Sequence, residues 1–253
     1  MVWCGCKFIV SFAKILNNVW VRFLIFVCNF ELLYKMNAMK LKKIIRGIKS
    51  PSLETVERIL DDEVASQTVG YVNWPSFPYA PHVGVQLAYN DEAFFIKYRV
   101  REQAVMALST QPNGEVWTDS CVEFFISPDN DSTYYNFEFN CIGTALLGYN
   151  RPGEKVVHAS AGQIAAIRRF SSLGGTPFAE RKGGFDWHLV AMIPFESLFK
   201  HRFVPQIGQR VRVNFYKCGD HLSEPHFLSW TRIETEQPSF HQPMFFGEIE
   251  FGE

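Results

Sequence analysis

Apolar residues first recur at helical spacing and then, further along, at every second position. Leu53, Val56, Ile59 and Leu60 follow Ser50-Pro51 as one stripe. Ser50 is placed to cap a short amphipathic helix, Pro51 suits its first position, and Glu54 and Glu57 favour its N-terminal end. Beyond it the period is two. Val83, Val85, Leu87 and Tyr89 alternate with His82, Gly84, Gln86 and Ala88, and Asn90-Asp91-Glu92 supplies a turn. Phe94, Ile96, Tyr98 and Val100 then share one face of a return strand, with Lys97, Arg99 and Arg101 on the other. The pattern predicts a hairpin. Alternating runs over residues 121–126, 135–141, 185–193 and 211–218 predict further strands, punctuated by turn residues at 111–114, 127–131, 151–153 and Gly183-Gly184. Residues 194–198 read as one helical turn. Many short strands with almost no helix predict an all-β domain, an antiparallel β-sandwich with one or two short helices. No repeat or linker divides residues 39–253, which read as a single domain.

Residues 1–38 lack this alternation. They are apolar, but Lys14, Arg22 and Glu31 interrupt them, so no uninterrupted run reaches the ~20 residues of a membrane span. Lys7 and Lys14 could open a signal peptide, yet no A-x-A-like cleavage site follows. The segment reads as an extension outside the domain, either processed or preceding a translation start at Met36 or Met39. A membrane anchor and an integral structural role are the alternatives.

The strands carry candidate chemistry on one face. Val122, Phe124 and Ile126 lie opposite Glu123; Phe137 and Phe139 lie opposite Asn136, Glu138 and Asn140; Val211, Val213 and Phe215 lie opposite Arg212, Asn214 and Tyr216. In one sheet, these polar members would form a surface of carboxylates, amides and a phenol. Sugar hydroxyls, each donor and acceptor, call for that mixture. The bland reading is the solvated side of a one-sided sheet. Trp117, in a loop just before the Glu123 strand, could stack on a pyranose ring at the rim. Trp187 and Trp230 are better core candidates, and Trp74 is undecided.

Composition narrows the field. Aromatics reach 15% and the net charge is −1 with both signs intermingled, which gives no basic stripe for nucleic acid. The six cysteines show no CxxC pair or regular spacing, so buried free thiols are expected rather than a disulfide framework or a zinc site. Motifs of metalloproteases, serine hydrolases and P-loop enzymes are absent.

Residues 117–126, Trp-Thr-Asp-Ser-Cys-Val-Glu-Phe-Phe-Ile, resemble the Trp-x-x-Asp-Ser-Val-Glu-x-Phe-Ile signature of family 9 carbohydrate-binding modules, with one inserted residue. Residues 89–102 are similar to that family's early hairpin. Residues 184–194 and the closing Ser229-Trp230 with Phe246-Gly247 extend the resemblance over about 70–251. It implies a DOMON-like sandwich that grips a mono- or oligosaccharide without cleaving it, at times beside a glycoside hydrolase in polysaccharide catabolism. Trp117 would be the first aromatic wall, Glu123 a hydroxyl acceptor, Asn140 a sugar-bonding amide and Phe240 a second wall where a Trp is expected. Glu138 stands where some members carry Arg. Tyr216 completes the expected set.

Members of this fold can also hold calcium, so Asp129-Asn130-Asp131 is either an oxygen-rich cation loop or a plain polar turn. No other cofactor is expected, and no membrane partner for the domain itself. A glycosidase using Glu123 and Glu138 is geometrically open, since neighbouring strands lie ~4.8 Å apart and retaining enzymes need ~5–5.5 Å. A haem-binding DOMON-like domain would need an axial pair such as Met with His, and the seven histidines are scattered. Without a clean signal peptide the cytoplasm is the simple compartment, although sugar-capturing modules more often work outside.

Overall fold

Among the described residues, period-two alternation is realised as fourteen strands that curl into two facing sheets. The computed structural model describes residues 38–44 and 50–253. The chain divides into two units, Met1–Met39 and Lys40–Glu253, and the fold is that of the second. The extension expected over residues 1–38 falls almost wholly outside the described residues. No described helix is long and apolar enough to cross a membrane.

In chain order the elements are β1 (Met39–Lys43), α1 (Leu53–Glu63), β2 (Gln67–Thr68), β3 (Tyr71–Val72), β4 (His82–Tyr89) and β5 (Ala93–Ala107). Next come β6 (Cys121–Ser127), β7 (Tyr134–Asn140), β8 (Ala145–Asn150), β9 (Val157–His158), α2 (Ala161–Ala166) and β10 (Arg168–Ser171). The last are β11 (Phe178–Pro194), β12 (Arg210–Cys218), β13 (Phe227–Ser229) and β14 (Gly247–Phe251). The order across the sheets is β10-β11-β5-β4-β1-β14-β12-β6-β7-β8-β9, with β1 parallel to β4.

The apolar faces read from the sequence meet between the sheets. Phe94 of β5 packs on Phe124 of β6 at 5.7 Å, and Phe124 stacks on Phe137 and Phe215 of the flanking strands. The Tyr98 hydroxyl crosses the core to donate to the Glu123 carbonyl at 2.5 Å. Lys217 and Glu102, also on core-facing positions, form a fully buried ion pair at 2.9 Å.

The outer face of the first sheet is roofed by α1, whose Val56 and Leu60 are buried with Ala88, Phe95, Val190 and Met192. Lys97 lies on the face assigned to it but has no solvent exposure. Glu57 and Asp61, one turn apart on α1, take its ammonium at 2.7–2.9 Å. The helix is capped by Ser52, which accepts from the Thr55 amide, and not by Ser50. Ser50 sits at φ 49°, a left-handed backbone incompatible with the cap, and its hydroxyl accepts from Arg168.

Gly183-Gly184 is not a turn between strands. β11 runs through it, with a register shift against β5 between Lys182 and Phe185 and Gly183 at φ 136°. Several elements carry no expectation from the alternation, among them the short strands β1, β2, β3, β9, β10, β13 and β14, and also β8 and α2. β8 is buried on both faces, which erases a period of two. The helix α2 begins with a Ser160–Gln163 capping box.

Candidate functional site

The sheet that carries β6 and β7 has no solvated side at those two strands. Every residue of β6 and β7 is buried, because the chain from 230 to 246 folds back over the face opposite the sandwich core. This cover is tied down at several points. The Trp74 indole donates to the Thr235 carbonyl at 3.0 Å, the Ile233 amide donates to Asn73, and the Thr231 hydroxyl donates to the Phe245 carbonyl. Beneath it, Phe125, Tyr134, Tyr216, Phe240 and Phe246 form a second aromatic core. Gly247 is needed where Trp230 lies across the strand, since a Cβ there would meet the indole at 2.6 Å. That approach explains the closing Trp230 and Phe246-Gly247 pair.

A cavity of about 400 Å³ interrupts this core. Its floor follows from strand register. Glu123 pairs with Glu138 and Glu138 with Leu146, so one row of lining side chains crosses three strands, and Tyr216, paired with Glu123, continues the row outside the cavity. Trp117, Phe227 and Phe240 provide aromatic walls, and His158, Asp220 and His241 stand around them.

The two floor carboxylates are almost fully buried, at 2% and 4% exposure. Glu123 Oε1 accepts from the Cys218 thiol at 3.1 Å. Glu138 Oε1 accepts from Asn136 Nδ2 at 2.8 Å, and Asn150 Nδ2 fixes that amide by donating to Asn136 Oδ1 at 2.7 Å. Gly148 makes room for this relay, because a Cβ would meet Asn136 Oδ1 at 2.5 Å. Glu138 Oε2 is buried and has no partner among the described residues.

Burial, reinforced by the neighbouring Glu138, holds Glu123 well above the ordinary carboxylate range. Glu138 is pushed up to about 7 by burial, against the Asn136 hydrogen bond and with the help of Asp220. Asp220 itself is raised to about 6, chiefly by burial.

Of the six residues singled out, Trp117, Glu123, Glu138 and Phe240 line the cavity. Asn140 and Tyr216 do not. Asn140 closes a structural knot: its amide donates to Ser109 and Asp119, and its oxygen accepts from the Ile142 and Thr144 amides. Tyr216 lies beneath Phe240, stacked at 4.2 Å with its hydroxyl donating to the Phe240 carbonyl. Asp119, the motif acid, binds the Leu108 and Ser109 amides and Asn140. It thereby fastens the turn carrying Trp117, whose carbonyl accepts from the Asp220 amide.

The sulfurs of Cys121 and Cys218 and the Glu123 carboxylate lie within 4.8 Å of one another. Burial pushes the Cys121 thiol up to about 12 and raises Cys218 as well, so both stay protonated. Cys121, Cys141 and Cys218 are all free and buried.

In the 129–131 loop, Asp131 accepts from the Thr133 amide and hydroxyl, and Asp129 faces His201 at 3.2 Å. The carbonyls of Asn130 and Asp131 accept from Arg212. A guanidinium thus holds two backbone oxygens of this loop.

The profile of Carbohydrate-binding family 9 matches residues 54–251. The chain belongs to this family. Among solved structures, the family 9 chain is similar to a candidate carbohydrate-binding protein from Bacteroides uniformis. The two are 41% identical over 85% of this chain and 98% of the other, with a TM-score of 0.81. It also shares its fold with a family 9 module from Caldicellulosiruptor kristjanssonii in complex with cellotriose, at 14% identity and a TM-score of 0.56 over 85% and 94% of the two chains. The same holds for a glucose complex of a family 9 module from that organism, at 13% identity, a TM-score of 0.53 and coverage of 86% and 97%. No curated protein matches the chain. The 54–251 match takes in all but the first residue of α1, the hairpin and every strand except β1, so the floor and walls of the cavity all lie within the family 9 module.

Proposed function

We propose that this family 9 module holds a sugar in the cavity above Glu123 and Glu138 and does not cleave it. The observation that carries this reading is a concave site with aromatic walls over a floor of carboxylate and amide groups. A pyranose has apolar C–H faces for the former and hydroxyl groups for the latter. The cellotriose and glucose complexes of the two Caldicellulosiruptor modules support it. In this reading the module works beside a glycoside hydrolase in polysaccharide breakdown.

The carboxylates sit side by side on adjacent strands of one floor, both biased toward the neutral acid. A glycosidase places its pair on either side of the scissile bond. The Met–His pair named for the haem alternative is not assembled here, since no methionine lines the cavity among the described residues.

A glycan array followed by calorimetry tests the proposal. Trp117→Ala should weaken the sugar found by about tenfold, since a stacked ring is worth ~0.5–1.5 kcal/mol beyond burial and ~1.4 kcal/mol is a factor of ten. Unfolding should stay cooperative, because the side chain is only half-buried at the cavity edge. Sugars should be recovered intact after long incubation. Steady release of reducing ends, lost in both Glu123→Gln and Glu138→Gln, would establish a glycosidase instead.

A further inference from the structure

The cavity is unbalanced in charge. Glu123, Glu138 and Asp220 face it, while no lysine or arginine lines it among the described residues. The nearest cation in the sheet, Lys217, points into the opposite core and is consumed by Glu102. The imidazoles at the cavity are His158 and His241, and His241 Nδ1 is already engaged by the Tyr134 hydroxyl at 2.9 Å. The other titratable neighbours are Cys218 and Tyr216, both buried and unable to offer a positive charge, and His221, which acts on Asp220 from outside the lining.

Glu138 is the pointed feature. Its Oε1 is held by an amide relay from Asn150 through Asn136, so the carboxylate cannot swing away. Its Oε2 is left buried and unpartnered on the cavity floor. A buried acceptor without a donor is costly in a folded protein, and more so if it is ionised. A second carboxylate stands directly opposite on the next strand. Sugar hydroxyls would satisfy hydrogen bonds here but leave the like charges opposed. An ammonium group brings three donors and a positive charge to the same point.

We propose that the preferred ligand is a sugar carrying a free protonated amine, a 2-amino-2-deoxyhexose unit, with its ammonium between Glu138 and Glu123 and its ring against Trp117. This rests on the sugar-binding reading and narrows it. Sugars bearing carboxylates are excluded by the same floor. The amine brings its charge next to an acid that is partly protonated near neutrality, so binding expels a proton from the floor.

The test is calorimetry on the full chain at pH 7 and low salt with glucosamine, glucose, N-acetylglucosamine and glucuronic acid. Glucosamine should bind at least tenfold more tightly than glucose, the acetylated sugar should lose that advantage, and glucuronic acid should not bind. The apparent enthalpy for glucosamine, and not that for glucose, should change with the ionisation heat of the buffer. Glu138→Gln should bring the glucosamine-to-glucose ratio close to one, whatever it does to each affinity. Glucose binding with no amine preference overturns this inference and leaves the sugar reading standing. Failure of all four sugars to bind overturns both.

Discussion

Lys217→Met is expected to cost the domain about 3–5 kcal/mol, the range for breaking one side of a buried ion pair. The Lys217 ammonium has three contacts and no solvent: Glu102 Oε2 at 2.9 Å, the Cys218 carbonyl at 2.8 Å and His226 Nε2 at 2.8 Å. Burial, with the ammonium beside it, holds the His226 imidazole down to about 3, so it stays neutral and its Nε2 accepts from Lys217. Methionine would fill most of the volume but strand the Glu102 carboxylate, which keeps the Trp187 indole at 2.7 Å and the neutral His226 ring at 3.7 Å. At roughly 2–4 °C per kcal/mol for a domain of this size, Tm should fall by roughly 6–20 °C. Pairing the change with Glu102→Gln should restore much of the loss, because the cost lies in the uncompensated charge. Thermal melts of the single and double variants decide it. A single variant within 1 kcal/mol of wild type would show that the pair is not holding the sheets together.

That ion pair also shows where the sequence stopped being informative. Alternation located the sandwich core because Phe94, Phe124, Phe137 and Phe215 repeat at every second position. Continued to positions 102 and 217, the same rule points Glu and Lys inward, and only tertiary contact reveals that they meet. The candidate site was legible to a similar depth. Period two put Glu123 and Glu138 on one face, and the motif resemblance added Trp117 and Phe240. What alternation could not show is that this face has its own cover. Alternation alone therefore makes Tyr216 a ligand contact, whereas it is the support under Phe240. Asn140 shares the parity of Glu138 but ends its strand beneath the Asp119 loop, where four internal hydrogen bonds consume it. Asp220, His158, Phe227 and His241 come from loops and short strands without periodicity, and no local signal marks them. Asn150 ends a strand hidden by burial on both faces.

The floor carboxylates should make the protein less stable as pH rises, and Glu138→Gln should remove the part of that dependence that Glu138 contributes. Glu138 titrates near 4.5 when free and at about 7 in the fold, with burial as the main cause. Between those values the folded state holds a proton that the unfolded state has released. The stability that Glu138 contributes is then fully present below about 4.5, declines through this window and is lost above 7, a difference worth about 3 kcal/mol at ~1.4 kcal/mol per pH unit. Glutamine keeps an oxygen for the Asn136 amide and cannot ionise. The variant should match wild type near pH 4.5 and exceed it by up to about 3 kcal/mol above pH 7. His226 titrates in the opposite sense, its contribution being lost as pH falls below about 6.5, but it is common to both proteins and cancels in the difference. Denaturant melts from pH 4.5 to 8 measure that difference directly, and a flat line across the range would place the raised acid elsewhere. A stabilised variant that has also lost its ligand would identify Glu138 as a residue retained for binding at the expense of the fold, which is how functional sites commonly depart from the most stable sequence.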